Sequence, residues 1–133
     1  MEFQSCVKIL NEWDIVAVRQ LGRNAAKEIG FGTVDQARIT TAISELARNI
    51  FLYAKEGEIC IKKELKSKKS GIKIIARDKG PGIYDVRKVM EVGFTTSGGL
   101  GAGLPGVKRL MDEFNIHSTP EQGTAIMTIK WLS

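Results

Sequence analysis

The sequence predicts an α+β fold, a two-layer α/β sandwich in which a mixed, mostly antiparallel sheet carries helices on one face. Three observations lead to this prediction. The 133 residues are enough for one domain with one core, so we treat 1–133 as a single domain. Hydrophobic residues make up 43% and charged residues 26%, a composition typical of globular proteins. The apolar periodicity gives the order βααββ(α)αββ, which suits helices packed on one side of a sheet.

A strand and a helix open the chain. Residues 3–10 alternate weakly between polar and apolar side chains and predict the first strand. Apolar residues then recur at helical spacing from about Asp14 to Ile29. Gly30 follows directly and is expected to end this helix, because glycine readily adopts the left-handed conformation of a helix C-terminus.

The second predicted helix begins at Thr33 and runs to about Tyr53. Thr33 is the expected N-cap of a capping box, since Gln36 stands three residues later. The apolar side chains that would face the sheet recur every three or four residues. They are Ile39, Ile43, Leu46 and Ile50.

A hairpin follows, with strands at 58–65 and 71–78 joined by a turn rich in lysine, serine and glycine. Its lysines contribute to a net charge of +5 and could form a nucleic-acid patch. The other interpretation is a solvated hairpin tip, and we favour it because no aromatic residue interleaves with the lysines to stack on bases. The lysines are Lys62, Lys63, Lys66, Lys68 and Lys69.

The last third of the chain predicts two helices and a second hairpin. A short helix is expected at 85–91 and a longer one at about 104–114. Strands at 114–119 and 123–132 form the closing hairpin. The longer helix would bury one side, formed by Val107, Leu110, Met111 and Phe114.

Cysteine and histidine usage limits the possible chemistry. The N-terminus lacks the features of a secretion signal and no apolar run reaches about 20 residues, so we expect a cytoplasmic protein without a membrane segment. Cys6 and Cys60 are therefore expected to be reduced and buried. His117 is the only histidine and is expected to be structural, which leaves little basis for a histidine metal site or a Cys-His nucleophile pair.

The glycine-rich segment GGLGAGLPG, at 98–106, is a candidate phosphate-binding loop. Its last six residues fit the dinucleotide pattern G-x-G-x-x-G, but no buried strand precedes them and too little chain follows for that fold. No Gly-Lys-Ser/Thr sequence of a P-loop is present. The glycines still allow backbone N–H groups to converge on an anion, and a helix N-terminus follows at Leu104-Pro105. A flexible surface loop is the alternative interpretation.

Glu45 and Asn49 form a second candidate pair, one turn apart on the predicted second helix. At about 100° per residue their directions differ by about 40°, so both lie on one flank of the core stripe. An asparagine oxygen can coordinate Mg²⁺, and a glutamate can orient or deprotonate an attacking hydroxyl. The alternative is a solvated pair held by Arg38 or Arg48.

Two further signals lie at strand termini. Asp78-Lys79-Gly80-Pro81-Gly82 places a carboxylate at the end of a strand, where it could accept a hydrogen bond from an exocyclic amine. The glycines would let the backbone pass close to a flat ring, although such a sequence also suits an ordinary turn. Thr124 follows Gly123 at the start of the last strand and could reach the same ring.

Together and in this order, the four motifs resemble the ATP-binding family that includes DNA gyrase B, Hsp90, bacterial histidine kinases and MutL, whose domain has the Bergerat fold. Three segments are similar to the small bacterial serine/threonine kinases of partner-switching pathways and of the stressosome. These segments are DQARITTAISELARNI (35–50), DKGPGI (78–83) and TSGGLGAGLPGVKRLMDEF (96–114).

The resemblance implies an ATP site with Mg²⁺ as cofactor. Glu45 would be the catalytic base toward a protein hydroxyl, and Asn49 would bind ATP through Mg²⁺. Asp78 would bind the adenine amino group, assisted by Thr124. Related anti-sigma kinases carry an arginine near the phosphates where this chain has Gly98-Gly99-Leu100, so the residue that neutralises the phosphates stays open. The remaining implied ATP-binding residues are Gly80, Gly82, Ile83, Gly99, Leu100, Gly101, Ala102, Gly103 and Leu104.

The resemblance also implies protein partners. A histidine kinase needs a phosphoacceptor histidine on a separate module, and this chain has only His117, so the phosphoryl group is expected to pass directly to a partner. The implied substrates are a serine of an RsbS-like STAS-domain protein and a threonine of an RsbR-like co-antagonist. The freed kinase would then activate a PP2C-type phosphatase or another output. The alternative is an anti-sigma-factor-like binding protein that uses ATP only to set its conformation.

Overall fold

The structure, a computed structural model, describes residues 4–54, 56–80, 103–119 and 122–133. Within these ranges the chain forms three helices and five strands, in the order β1, α1, α2, β2, β3, α3, β4, β5. Their bounds are Gln4–Ile9 (β1), Glu12–Ile29 (α1), Thr33–Tyr53 (α2), Gly57–Lys66 (β2), Lys69–Asp78 (β3), Gly103–Leu110 (α3), Glu113–Thr119 (β4) and Gly123–Trp131 (β5). The short helix predicted at 85–91 lies outside the described residues.

The five strands form one sheet in the order β1-β2-β3-β5-β4. All four neighbouring pairs are antiparallel. The sequence predicted a mixed sheet, and among the described strands this detail is wrong. Two helices lie between β1 and β2, so β2 runs antiparallel to β1. A single crossover helix would have given a parallel pair.

The core lies between the sheet and the helices. Along α2, the predicted stripe is buried, with Ile39 and Ile43 fully inaccessible to solvent. It packs against isoleucines that alternate along the strands, because every second side chain points to the same face of a sheet. None of the described helices combines the length and apolarity needed to cross a membrane. The buried strand isoleucines are Ile59, Ile61, Ile72, Ile74 and Ile126.

The C-terminal end of α1 is as predicted, and its N-terminal end is not. Gly30 ends the helix in the left-handed conformation, with φ of 117°, and its N–H donates to the carbonyl of Ala26 at 3.1 Å. The helix starts two residues before Asp14, because Asn11 and Asp14 form a reciprocal capping box that the prediction missed.

The helix α2 has the predicted extent, but its predicted cap is wrong. Gly32 occupies the N-cap position, Thr33 is already helical, and no side chain caps the helix. The Gln36 side chain instead donates from Nε2 to the carbonyl of Phe31 at 2.8 Å. A glycine N-cap costs only a few tenths of a kcal/mol relative to a capping side chain, so the helix tolerates it.

The helix α3 is shorter than predicted, because it ends at Leu110 rather than near 114. The N–H of Asp112 donates to the carbonyl of Ile129 in β5 at 2.9 Å, which draws the chain away from the helix axis. Phe114 therefore belongs to β4 and does not extend the apolar side of α3. The apolar residues keep helical spacing as far as Phe114, but pairing between β4 and β5 determines the conformation after Leu110.

The two cysteines form a disulfide, so the prediction of two reduced, buried thiols is wrong. Cys6 and Cys60 are direct partners in the β1–β2 register, with Cα atoms 4.0 Å apart. Cys60 is buried, but Cys6 is exposed at the edge of the sheet. Their separation of 54 residues hid this pairing, since the register between β1 and β2 is set by the whole fold.

Candidate nucleotide-binding site

Two polar residues of α2 lie beside its buried stripe. Glu45 is only 8% exposed, and Asn49 one turn later is partly buried. Ala42 and Leu46, on either side of Glu45, are also buried, so the carboxylate stands at the border of the core. Carboxylates are rarely buried this deeply unless they have a partner or a function. The flank position predicted for the pair from the sequence is confirmed.

Asp78 ends β3 between two other strands. It is paired with Gly57 of β2 on one side and with Thr124 of β5 on the other. Its carboxylate accepts hydrogen bonds from the N–H groups of Gly80, at 2.9 Å, and of Thr124. Burial raises the pKa of Asp78 above its usual 3.8, although these two hydrogen bonds act in the opposite direction. The two hydrogen bonds therefore fix the position of the carboxylate but do not fully offset the cost of burying its charge.

Two glycines bring the end of α2 against the Asp78 turn. A Cβ on Gly80 would lie 2.7 Å from the Cβ of Ala54, the C-cap of α2. A Cβ on Gly57 would lie 2.9 Å from Cγ2 of Ile50. Both distances are too short for a side chain, so the glycines allow helix and strand ends to approach closely. The approach places Asp78 next to the helix that carries Glu45 and Asn49.

The hydroxyl of Thr124 has a neighbour that the sequence analysis missed. The Oγ atoms of Ser118 and Thr124 lie 2.8 Å apart, in a hydrogen bond across the β4–β5 pair. Ser118 therefore fixes where the Thr124 hydroxyl points. The closing hairpin pairs Thr119 with Gly123, with three residues between them, and therefore places residues 118 and 124 opposite each other, so this signal was available in the sequence.

Gly123, immediately before Thr124, has no room for a side chain. Its φ of 82° is in the left-handed region, and an added Cβ would overlap the carbonyl oxygen of Asp78. Gly123→Ala is therefore expected to lower the free energy of unfolding by about 1–3 kcal/mol. Thermal denaturation measures this, and Gly32→Ala, where an added Cβ meets nothing within 4 Å, is a control that should lose only the smaller preference of the α2 N-cap for glycine over alanine. Equal melting temperatures for the two variants would contradict the close approach.

The described part of the glycine-rich loop begins at Gly103, the first residue of α3. Gly103 has a φ of 68°, and the following Leu104 is 5% exposed. Val107, one turn later, is fully buried, so the start of α3 is anchored in the core. Six of the predicted ATP-binding residues lie outside the described residues. They are Gly82, Ile83, Gly99, Leu100, Gly101 and Ala102.

A cleft of about 610 Å³ has Asp78 and Thr124 among its lining residues. Its other polar side chains include Glu58, Arg77 and His117, which come from strand positions facing away from the helices. Neither Glu45 nor Asn49 lines it. The candidate site for a nucleotide is therefore the helix-side region between α2, the Asp78 turn and the start of α3, and this cleft lies behind it.

A metal ion at this site would need more ligands than the described protein residues supply. Within the described ranges, the one group of three potential ligands is Cys6, Glu58 and Cys60, whose two sulfur atoms are bonded to each other. Asn49 offers a single amide oxygen. Mg²⁺ commonly uses few protein ligands and completes its shell with water and substrate phosphates, so Asn49 fits such an ion only together with a nucleotide.

Comparison with known proteins shows the family of the chain. Residues 34–132 match the family described as histidine kinase-, DNA gyrase B-, and HSP90-like ATPase. The chain is 71% identical over 132 residues to the serine/threonine-protein kinase RsbT of Bacillus subtilis, covering 99% of both chains. It is 35% identical over 102 residues to an anti-sigma F factor of Thermoanaerobacter, covering 72% of this chain and 70% of that one.

A solved structure shares the fold at low sequence identity. The mycobacterial sensor histidine kinase MprB superposes with a TM-score of 0.56 at 15% identity, over 97% of both chains. The match to the family covers α2, the Asp78 turn, α3 and the last two strands, which together contain every described candidate residue. The chain belongs to the family of histidine kinase-, DNA gyrase B- and HSP90-like ATPases.

Proposed function

We propose that this protein works in the cytoplasm and transfers the γ-phosphoryl group of ATP to a serine of a STAS-domain partner of the RsbS type. The observation that carries the proposal is the arrangement along α2. This helix holds Glu45 and Asn49 on one flank, and its C-terminal end packs against the turn that holds Asp78. One rigid element thereby connects the three side chains that the reaction would use.

The class of activity follows from the comparison. The chain is a protein serine/threonine kinase that uses ATP, since it is 71% identical to such a kinase along nearly its whole length and carries the ATPase domain of the family. Its anti-sigma factor relatives place it among kinases that regulate by switching between protein partners.

Asp78 is the group we assign to the adenine. A carboxylate that already accepts two backbone hydrogen bonds has a fixed orientation and keeps lone pairs for a further donor. The exocyclic amino group of adenine is such a donor. Gly80 and Gly123 keep the surrounding backbone free of side chains, and the Thr124 hydroxyl adds a second polar contact.

Glu45 is the group we assign to the chemical step. Phosphoryl transfer depends mainly on positioning and on stabilisation of charge, with a base to accept the proton of the attacking hydroxyl. The Glu45 carboxylate would accept that proton from the partner's serine. Glu45 is only 8% exposed, so little bulk water reaches its side chain.

Asn49 is proposed to hold Mg²⁺, which would neutralise charge on the phosphates of ATP. Replacing Asn49 with alanine should raise the Mg²⁺ concentration for half-maximal activity roughly tenfold, as expected from a loss of about 1.4 kcal/mol. The measurement is a magnesium titration of phosphotransfer at saturating ATP. An unchanged magnesium requirement would show that Asn49 is not a ligand.

The test of the proposed function is direct. The protein is incubated with Mg-ATP and a purified RsbS-like STAS-domain protein, and the phosphorylated residue is identified by mass spectrometry. Phosphoserine on the partner is the expected result. An RsbR-like co-antagonist is tested in parallel for phosphothreonine, and a PP2C-type phosphatase for activation by the released kinase. Absence of phosphate from both STAS-domain proteins would contradict the substrate assignment.

A second candidate function has support from the anti-sigma F factor relatives, at 32% identity over 109 residues in the Bacillus subtilis protein. In this alternative, the chain binds a regulatory protein and ATP only sets its conformation. It predicts ATP-dependent complex formation with a partner and no covalent phosphate on that partner. The same incubation, followed by gel filtration, separates the two functions.

A further inference from the structure

Lys130 is a lysine on the buried face of β5. The residue is only 9% exposed and is paired with Ile72 of β3, one of the buried isoleucines of this face. Its Nζ donates a hydrogen bond to the carbonyl oxygen of Leu110 at 3.1 Å. Leu110 is the last residue of α3, and the last carbonyls of a helix have no partner within the helix. Lys130 supplies one.

Two carboxylates surround the same ammonium group. Oδ1 of Asp35 and Oδ1 of Asp112 each lie 4.0 Å from Nζ of Lys130. Asp35 is in the first turn of α2 and is also paired with Arg38 at 2.9 Å. Asp112 directly follows α3, and its Oδ2 accepts a hydrogen bond from the N–H of Trp131 at 2.7 Å. One buried charge thus joins α2, the end of α3 and β5.

A buried lysine contact of this kind costs free energy of desolvation, so its presence calls for an explanation. Burying an ammonium group costs free energy that its partners offset only when the geometry is good, and an apolar side chain would often serve stability as well. A methionine or isoleucine at position 130 would fill this part of the core without any desolvation of charge. The lysine instead makes a specific connection between α2, α3 and β5 that an apolar side chain would not make.

The contacts of Lys130 fix one end of α3 relative to α2, and the candidate ATP-binding residues lie further along these two helices. α3 has eight residues, so Gly103 and Leu104 at its start lie only about 12 Å from the end held by Lys130. The helix α2 carries Glu45 and Asn49 further along its length. We infer that Lys130 is a positioning residue for ATP binding, which sets α3 relative to α2 so that the start of α3 faces the nucleotide. The inference rests on the proposed ATP site.

The experiment compares Lys130→Met with Lys130→Arg and with Lys66→Met, an exposed lysine of the β2–β3 hairpin that serves as control. For each variant we would measure the KM for ATP, kcat, the KM for the protein substrate, and the melting temperature with and without ATP. Lys130→Met should raise the KM for ATP at least about fivefold, the lower range of coupling between distant sites. The KM for the protein substrate should stay unchanged. Lys130→Arg should recover most of the ATP affinity.

A purely structural role gives a different result. Lys130→Met would then lower the melting temperature with and without ATP by the same amount and leave the KM for ATP within about twofold of the wild type, and this outcome would overturn the inference. Should Lys130→Met fail to fold, Asp35→Asn removes one carboxylate at a partly exposed position. An unchanged KM for ATP in Asp35→Asn would then overturn the inference as well.

The failure of this inference is distinguishable from failure of the proposed site. If Asn49→Ala weakens ATP binding and Lys130→Met does not, the ATP site stands and Lys130 has no part in it. If neither variant affects ATP binding, the site itself is wrong.

Discussion

Glu45→Gln is expected to slow phosphotransfer to the protein substrate by about 10²-fold or more, with little change in the affinity for ATP. Glutamine keeps the size and the hydrogen-bonding reach of the side chain but cannot accept the proton of the attacking serine. The carboxylate is nearly buried on α2, so the substitution changes the chemistry of the position more than its shape. Single-turnover transfer from radiolabelled ATP measures the chemical step apart from product release.

Two comparisons make this result specific. Glu28→Gln on the exposed side of α1 removes a carboxylate without touching α2 and should retain the full rate. Glu45→Ala should lose at least as much activity as Glu45→Gln, with an added loss of packing. A rate for Glu45→Gln within about threefold of wild type would exclude a general base at this position, since that role contributes at least about 10²-fold. A loss of ATP binding would instead give Glu45 a structural role.

Local features of the sequence predicted much of the fold. The bounds of α2 and its buried stripe could be predicted because helical periodicity depends on residues close in the chain. Gly30 ends α1 as expected for the same reason. The described candidate site residues lie on the elements where the sequence placed them, since each motif is a short segment with a characteristic backbone position, and their roles stay predictions. Asp78 lies at the end of β3 as predicted.

Features that depend on pairing between distant segments could not be predicted in the same way. The disulfide between Cys6 and Cys60 requires the register of two strands separated by two helices. The end of α3 is set by a hydrogen bond from Asp112 to β5, which periodicity does not encode. Lys130 looks like a surface residue in the sequence, and only the sheet register reveals that it faces the helices.

Asp78→Asn is expected to weaken ATP binding roughly 10- to 100-fold, as expected from the loss of a hydrogen bond to a charged group. Asparagine keeps an oxygen that can accept hydrogen bonds from the N–H groups of Gly80 and Thr124, but its amide nitrogen is a donor and would oppose the exocyclic amine of adenine. Purine riboside triphosphate, which lacks the exocyclic amine, tests the assignment. Wild type should bind it much more weakly than ATP, whereas Asp78→Asn should discriminate little between the two.

The same substitution should not destabilise the nucleotide-free protein at neutral pH. Burial raises the pKa of Asp78, so the folded chain binds this proton more tightly than the unfolded chain does. The stability that this group contributes is present below its usual pKa of 3.8 and is lost as the pH rises through the higher pKa of the folded state. At pH 7 the ionised carboxylate therefore lowers the stability of the fold, and asparagine removes this effect.

Melting temperatures of both proteins without nucleotide, measured from pH 3 to pH 8, test this linkage. The curve for Asp78→Asn should match or exceed that of wild type at pH 7, and the variant's relative stability should fall as the pH drops through the titration of Asp78. A variant that is less stable than wild type at pH 7 and closer to it in acid would reverse the sign. Weaker ATP binding combined with an equal or higher melting temperature is the result expected of a carboxylate that is kept for its ligand at a cost to the fold.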